Sequence, residues 1–362
     1  MQMDSERRFL VAFHQAPGMT MRRLMLLQAH FGSFERAWAE RSERLGTILA
    51  FKAEQLSHFQ HLHAQLDPLD VLAWLEKKAL HAISWFEPSY PASLRQLTDP
   101  PPLLYVRGTL PEFGCALAMV GAREATPYGL GHAQRFARQL SACGVVVVSG
   151  VAAGIDAAAH RGALQGDGGA TVGVLGCGHD HVFPRGHARL YQAIARQGAL
   201  ISEFPPATPP GKWTFPQRNR IIAGLTAGTI VIEAGLQSGS LITCDFALEQ
   251  GKTVFAMPGP IDSAASAGPH KLLLEGARLL TSVQDIFDEM GWNSLKQITD
   301  PHDTLDNPIQ AGIVKALTAN ALSVEELLIQ TKLSLSQLSV HLLKLVLSGH
   351  IRELPGARYA RN

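Results

Sequence analysis

The chain has no excess charge of either sign, no cysteine pair at a redox or metal spacing, and no apolar run of membrane-spanning length. Lysine and arginine number 32 against 31 aspartates and glutamates, so the surface as a whole is no trap for polyanions, and any affinity for nucleic acid has to come from a local patch. The four cysteines, Cys115, Cys143, Cys177 and Cys244, stand far apart, three of them beside apolar runs. They read as reduced core thiols of a cytosolic protein rather than as a disulfide framework. The apolar run Val145–Val148 is far too short to span a bilayer, and no basic-then-apolar leader opens the sequence. A cytoplasmic protein with no membrane partner is expected. His58, His61 and His63 have no cysteine or carboxylate cluster beside them, so they read as a solvated helix face, and neither metal nor cofactor is expected.

What is present organises the chain into modules. With 362 residues, 46% of them hydrophobic, two or three domains are expected. Residues 1–82 carry Leu24, Leu27, Phe31, Phe34 and Trp38 at helical spacing, interrupted at Pro17-Gly18 and Gly32-Ser33, which predicts a small helical domain. Prolines punctuate the lead-in from Trp85 to Gly108, as an extended wrapping segment would require. From Cys115 to Asp285 short apolar strands alternate with helical runs. The strands are expected over Ala116–Val120, Val145–Val148, Thr171–Leu175, Ala199–Ile201, Thr229–Ile232 and Thr253–Ala256. That alternation predicts an α/β fold, a doubly wound parallel sheet of Rossmann type over residues 83–287. A polar linker over 288–307 and a winged-helix domain over 308–362 follow, the latter from two capping boxes at Ser323 and Ser334, a leucine-lined helix and a closing hairpin.

In such a sheet ligands lie at the carboxyl ends of the strands, and the glycine-bearing loops there, after Val120, Val148, Leu175 and Ile232, offer free amides to an anion. Arg123 follows the first strand. Its guanidinium can fork two phosphate oxygens. The stretch Lys212-Trp213-Thr214-Phe215-Pro216-Gln217-Arg218-Asn219-Arg220 adds cations, and Phe215, with Trp213 beside it, offers a flat face to a base. Basic groups interleaved with an aromatic describe a track for single-stranded nucleic acid. The competing reading is that the arginines pair with Asp156, Glu203 or Glu233 while the aromatics seal the sheet. Asp156 and His160 stand four apart, but a helix-start role suits Asp156 better than acid–base work. No nucleophile elbow, no Walker lysine and no dinucleotide fingerprint is legible, so the protein is not expected to be an enzyme.

With these motifs, among them DPPPLLYVRG, MVGAREATPYG, VVSGVAAGIDAAAH, GVLGCGHDHVFP, FPQRNRIIAGL and IVIEAGLQSGSLIT over about residues 88–260, the chain resembles the bacterial DNA processing protein A family (DprA, also called Smf). The amino-terminal helices look like that family's sterile-alpha-motif-like domain. The resemblance implies an extended-Rossmann homodimer that binds single-stranded DNA, protects it and loads the RecA recombinase in natural transformation. It further implies DNA contacts at Arg123, Ser149, Gly150, Gly178, Lys212, Phe215, Arg218, Asn219, Arg220 and Ser240. Two departures stand out: Ala122 where the family often has serine, and Pro269-His270 where it often has cysteine-asparagine. The rival reading is a nucleotide-binding or nucleotide-hydrolysing enzyme of the lysine-decarboxylase-like group. Against it, the segment AGLQSGSLITCD lacks that group's leading proline-glycine-glycine and has Thr243-Cys244 where its glutamate is needed. The expected recognition helix of the winged domain, Ser336–Leu347, exposes Gln337, His341 and Lys344 but no arginine, so sequence-specific duplex reading is not expected.

Overall fold

The computed structural model of the chain describes residues 2–166, 170–292, 295, 307–317, 321–347 and 350–361, in two bodies, 1–293 and 294–362. The first opens with six helices: α1 (Gln2–His14), α2 (Met21–Phe31), α3 (Phe34–Trp38), α4 (Ser42–Ile48), α5 (Ala53–Gln65) and α6 (Val71–Lys77). Gly32 ends α2 in the left-handed region at φ 74°, and Ser33 then caps α3 by accepting the amide of Arg36, so the Gly-Ser break in the sequence is a helix stop followed at once by a start. The apolar faces of these helices meet around Phe13, Trp38 and Phe59.

Nine strands form one sheet among the described residues. They are β1 (His81–Ser84), β2 (Leu103–Gly108), β3 (Ala116–Val120), β4 (Val146–Ser149), β5 (Thr171–Val174), β6 (Ala199–Ser202), β7 (Gly228–Val231), β8 (Thr253–Ala256) and β9 (Arg278–Leu279). Their order is β1-β2-β6-β5-β4-β3-β7-β8-β9. Pairing is parallel from β6 through β9, and antiparallel where β1 and β2 extend the β6 edge. The connecting helices are α7 (Ala92–Arg95), α8 (Pro127–Ala142), α9 (Ile155–Ala163), α10 (Ala188–Gln197), α11 (Thr214–Leu225), α12 (Gly239–Glu249), α13 (Ala267–Leu274) and α14 (Val283–Met290). Alternate residues of the strands face opposite layers. Ala116, Ala118, Val146 and Val148 pack with Ile221 and Ile222 of α11, while Leu200 packs with Leu190, Tyr191 and Ile194 of α10. Both faces are therefore covered, as a near-continuous apolar strand requires.

The boundary expected at residue 82 falls inside β1. Ala82, Leu103 and Tyr105 belong to the helical core, whereas Ile83, Leu104 and Val106 belong to the sheet core. Tyr105 reaches into the helices, its hydroxyl 2.9 Å from Gln15 Nε2 and 3.0 Å from His14 Nδ1. No helix of the described residues is long and apolar enough to cross a membrane.

The second body is a winged helix: α15 (Pro308–Ala316), β10 (Leu322–Ser323), α16 (Val324–Thr331), α17 (Leu335–Leu347), β11 (Ile351–Leu354) and β12 (Arg358–Arg361), with β12 between β10 and β11. Both expected capping boxes form, Ser323 with Glu326 and Ser334 with Gln337. Leu338, Leu342 and Leu345 close the core against Ile313 and Leu327. Val340 and Leu343 stand exposed on the outer side of α17. Most of the expected linker, and Gly349 of the hairpin, lie outside the described residues.

Candidate nucleic-acid interface

From β3 the chain runs to β4, β5 and β6 on one side, then returns to β7 on the other. The crevice opens at this reversal, over the carboxyl ends of β3, β4 and β7. Gly121 makes the first turn possible. A Cβ there would stand 2.6 Å from Ile155 Cγ1 and 2.7 Å from the Glu233 carbonyl, so the loop threads between two elements that only a bare backbone can pass. Ala122 then donates its amide to that carbonyl at 2.6 Å, which leaves Arg123 exposed at the rim. After β4 the backbone bends through Val151 at φ 57°, a strained setting for a β-branched residue, and Gly154 at φ 75°. The Asp156 carboxylate turns back to accept the Ala152 amide at 3.3 Å.

The amino end of α11 forms the opposite wall. Thr214 Oγ1 donates to the Gly176 carbonyl at 2.5 Å and accepts from the Gly211 amide at 3.1 Å, which fixes where the helix starts. Phe215 then lies against Gly176, at which a Cβ would be 2.5 Å from the ring, and 5.2 Å from the ring of Phe183. The Arg123 guanidinium sits over this ring, 5.5 Å from its centroid. Below, Arg218 is buried. It donates to the carbonyls of Gly150, at 2.7 Å, and Val174, and through Nε to Asn219 Oδ1 at 3.1 Å. Asn219 Nδ2 in turn holds the Gly239 carbonyl at 3.2 Å. Ser238 caps α12, its hydroxyl 2.7 Å from that of Ser240.

These residues enclose a cavity of about 570 Å³, and a smaller one of about 220 Å³ lies beyond Phe215. Arg123, Ala152, Phe215 and Arg218 border both. The cations Arg123, Lys212 and Arg218 line the larger one together with Asp156 and Glu124. Burial pushes the Asp156 carboxyl up, against the pull of Arg218, and lowers the Arg218 guanidinium, against the pull of Asp156. Neither Arg123 nor Lys212 is ion-paired with a described residue. Two cations are thus left for an outside anion, above the buried Arg218 and Asp156.

Of the residues singled out in the sequence, Arg123, Lys212, Phe215, Arg218, Asn219 and Ser240 line the larger cavity, and Gly150 lines the smaller. Three do not. Ser149 is buried and donates its hydroxyl to the Met119 carbonyl at 2.6 Å. Gly178 is wedged under the backbone of Pro205 and Pro206, where an added Cβ would stand 2.1 Å from the Pro205 carbonyl oxygen. Arg220 points away from the crevice and forks Glu203, Nη1–Oε1 2.7 Å and Nη2–Oε2 2.6 Å. For that arginine the structural pairing wins. Glu233 is taken up by Thr126, accepting its amide at 2.8 Å and its hydroxyl at 2.6 Å, and so braces the Thr126 cap of α8 rather than meeting an arginine. His160 bonds Thr171 Oγ1 at 2.7 Å instead of joining Asp156. Sequence reasoning passed over Glu124, Thr243, Phe183 and Tyr191 as lining residues; Glu124 and Phe183 sit in strand-end loops whose motifs were already in view.

Fold and site together define a doubly wound α/β protein with a cation-rimmed crevice at its switch point, followed by a winged helix. The sequence matches the DNA recombination-mediator protein A family over residues 81–291 and the DprA winged helix domain over residues 299–357. It is 40% identical over 295 residues to Protein Smf of Escherichia coli, covering 79% of this chain and 78% of that protein. It is also 40% identical over 233 residues to DNA processing protein DprA of Bacillus subtilis, covering 64% of this chain and 78% of the relative. Among solved structures, DNA processing protein A of Streptococcus pneumoniae superposes with a TM-score of 0.66 at 34% identity, over 78% of this chain and 97% of that one. DNA processing protein A of Helicobacter pylori, whose structure describes a single-stranded DNA binding mode, gives 0.54 at 29% identity, over 60% and 97%. The chain belongs to the DNA recombination-mediator protein A family.

Proposed function

We propose that this protein binds single-stranded DNA in the switch-point crevice and acts in the cytoplasm as a homodimeric recombination mediator, protecting the strand and loading a RecA recombinase onto it. The observation that carries the binding step is the Arg123 guanidinium, placed over Phe215 where two cavities adjoin and with no carboxylate partner among the described residues. Arg123 and Lys212 take backbone phosphates, the loop amides after β3 and β7 add dipoles of the same sign, and Phe215 stacks a base without regard to its identity. Arg218, Asn219 and Ser240 hold the floor and wall. The single-stranded DNA mode of the Helicobacter pylori relative supports the same ligand. The protein is read as a binder rather than an enzyme. Thr243 and Cys244 occupy the place where a hydrolytic loop of related fold would need its acid, and burial pushes the Cys244 thiol up to about 12, far from a thiolate nucleophile.

The test is an anisotropy titration of labelled oligothymidine, and of duplex of equal length, against wild type and Arg123→Ala at two salt concentrations. Single strands are expected to bind more tightly than duplex. The substitution weakens binding and lowers the salt slope by about 0.7 for the phosphate contact it removes. Wild-type affinity in Arg123→Ala would move the DNA track out of the crevice and leave nucleotides as the ligand of its glycine loops.

A further inference from the structure

α11 begins between two aromatic side chains that face opposite ways. Phe215 turns inward against Gly176 and Phe183. Trp213, the N-cap residue just before the helix, turns outward and is 62% exposed. The protein has five tryptophans; Trp38 is buried, and Trp74, Trp85 and Trp292 are partly buried, so Trp213 is the exposed one. Its indole meets Phe204 perpendicularly, ring centroids 5.6 Å apart at 87°, and Phe204 is itself buried. The ring system is therefore seated. A perpendicular contact covers at most one face of the indole, and the exposure shows that a large part stays open to solvent. Lys212, the neighbouring residue, lines the larger cavity and carries one of its two unpaired cations. A flat hydrophobic face thus stands immediately outside the crevice, next to a phosphate-binding charge.

We infer that Trp213 is a second stacking platform, which takes a nucleobase of the strand as it leaves the crevice past Lys212. The inference rests on the reading of the crevice as a single-strand site and extends it from a point of attachment to a track. Three things favour a base over an apolar protein surface here: the adjoining cation, the continuity with Phe215 through three residues of chain, and the isolation of the indole. Phe204, the ring it rests on, is buried and adds no exposed apolar surface to a docking patch. Stacking of this kind tolerates any base.

Wild type, Trp213→Phe and Trp213→Ala, each as the full chain, are titrated with a labelled oligothymidine of about 16 nucleotides by anisotropy, and with the unlabelled oligomer by tryptophan emission. Wild-type emission is expected to fall on binding. Trp213→Phe keeps a ring, binds within about threefold of wild type and loses that quenching, whereas Trp213→Ala binds about tenfold more weakly. Thermal melts of the three should coincide, since the indole is mostly exposed. Should Trp213→Ala melt early, the quenching difference between wild type and Trp213→Phe decides alone. Undiminished affinity in a stable Trp213→Ala, or quenching that persists in Trp213→Phe, overturns the inference and leaves the crevice reading intact. A wild type that does not bind the oligomer overturns both.

Discussion

Arg220→Ala removes the cation from a carboxylate that has no other partner of its strength. Glu203 is 6% exposed and is forked by both terminal nitrogens of Arg220 at 2.7 and 2.6 Å; among the described residues it further accepts from the Gln217 side-chain amide at 3.3 Å. The same guanidinium donates to the carbonyls of Asp99 and Gln217, each at 3.0 Å, and so ties the proline-rich lead-in to α11. Breaking one side of a buried pair costs about 3–5 kcal/mol, because the other charge stays behind unpaired. Taking about 4 kcal/mol and the smaller shift per kcal/mol of a large domain, the melting temperature of the first body should fall by about 8 °C. Replacing both partners, with Arg220→Met and Glu203→Leu together, should recover most of the loss. Differential scanning fluorimetry with urea titration measures the stability, and oligothymidine anisotropy well below the melt measures binding by the folded protein. Arg220→Ala should bind nearly as wild type there, while Arg123→Ala should melt as wild type and bind poorly. An Arg220→Ala protein with an unchanged melt and a binding loss equal to that of Arg123→Ala would refute the assignment, and would mean that this guanidinium leaves Glu203 to meet DNA.

Two further outcomes follow from the same geometry. Gly178→Ala forces a methyl into the Pro205 and Pro206 carbonyls, so it should destabilise by about 1–3 kcal/mol in urea unfolding and weaken DNA binding only through the unfolded fraction. Acid should destabilise the first body through its buried imidazoles: burial lowers the His160 pKa to about 3 and those of His14 and His179 to about 4. The unfolded chain then binds more protons than the native one from there up to about 6.5, and stability falls as pH drops through that window. Each such group should cost about 2 kcal/mol between pH 6.5 and pH 5. Urea midpoints across that range should show the slope, and His160→Gln should flatten it by one group's share; the same slope in that variant would show His160 to be no part of it.

The parallel strands were legible because burial on both faces leaves them continuously apolar, and Ala116–Val120 and Thr253–Ala256 appear with the bounds their composition predicts. β1 and β9 were not. The first has two apolar residues in four, and the second is two exposed residues, so neither carries a period to read; only a neighbouring strand makes them strands. The placement of Arg123 was legible, since a residue just past a strand end has one edge to project over. The divergence of Arg218 and Arg220 needed the helix. Two positions apart on α11, they point about 200° from one another, and what lies on each side, the Gly150 and Val174 carbonyls or Glu203, comes from segments 17 to 68 residues away in sequence. Ser149 and Gly178 stand away from the cavity lining for a related reason. Position in a strand-end loop says that backbone is near the crevice, but not whether a hydroxyl or an amide is already spoken for inside.

The two strands shared between the helices and the sheet tie the melting of one to the melting of the other. Along β2, Leu103 and Tyr105 serve the helical core while Leu104 and Val106 serve the sheet core, so neither core can open without stripping the other of a wall. The amino-terminal helices and the crevice therefore form a single cooperative unit, and injury to one is felt in the other. A cavity cut at Phe13, far from the crevice, lowers the population of intact crevices as surely as one cut beneath Arg218.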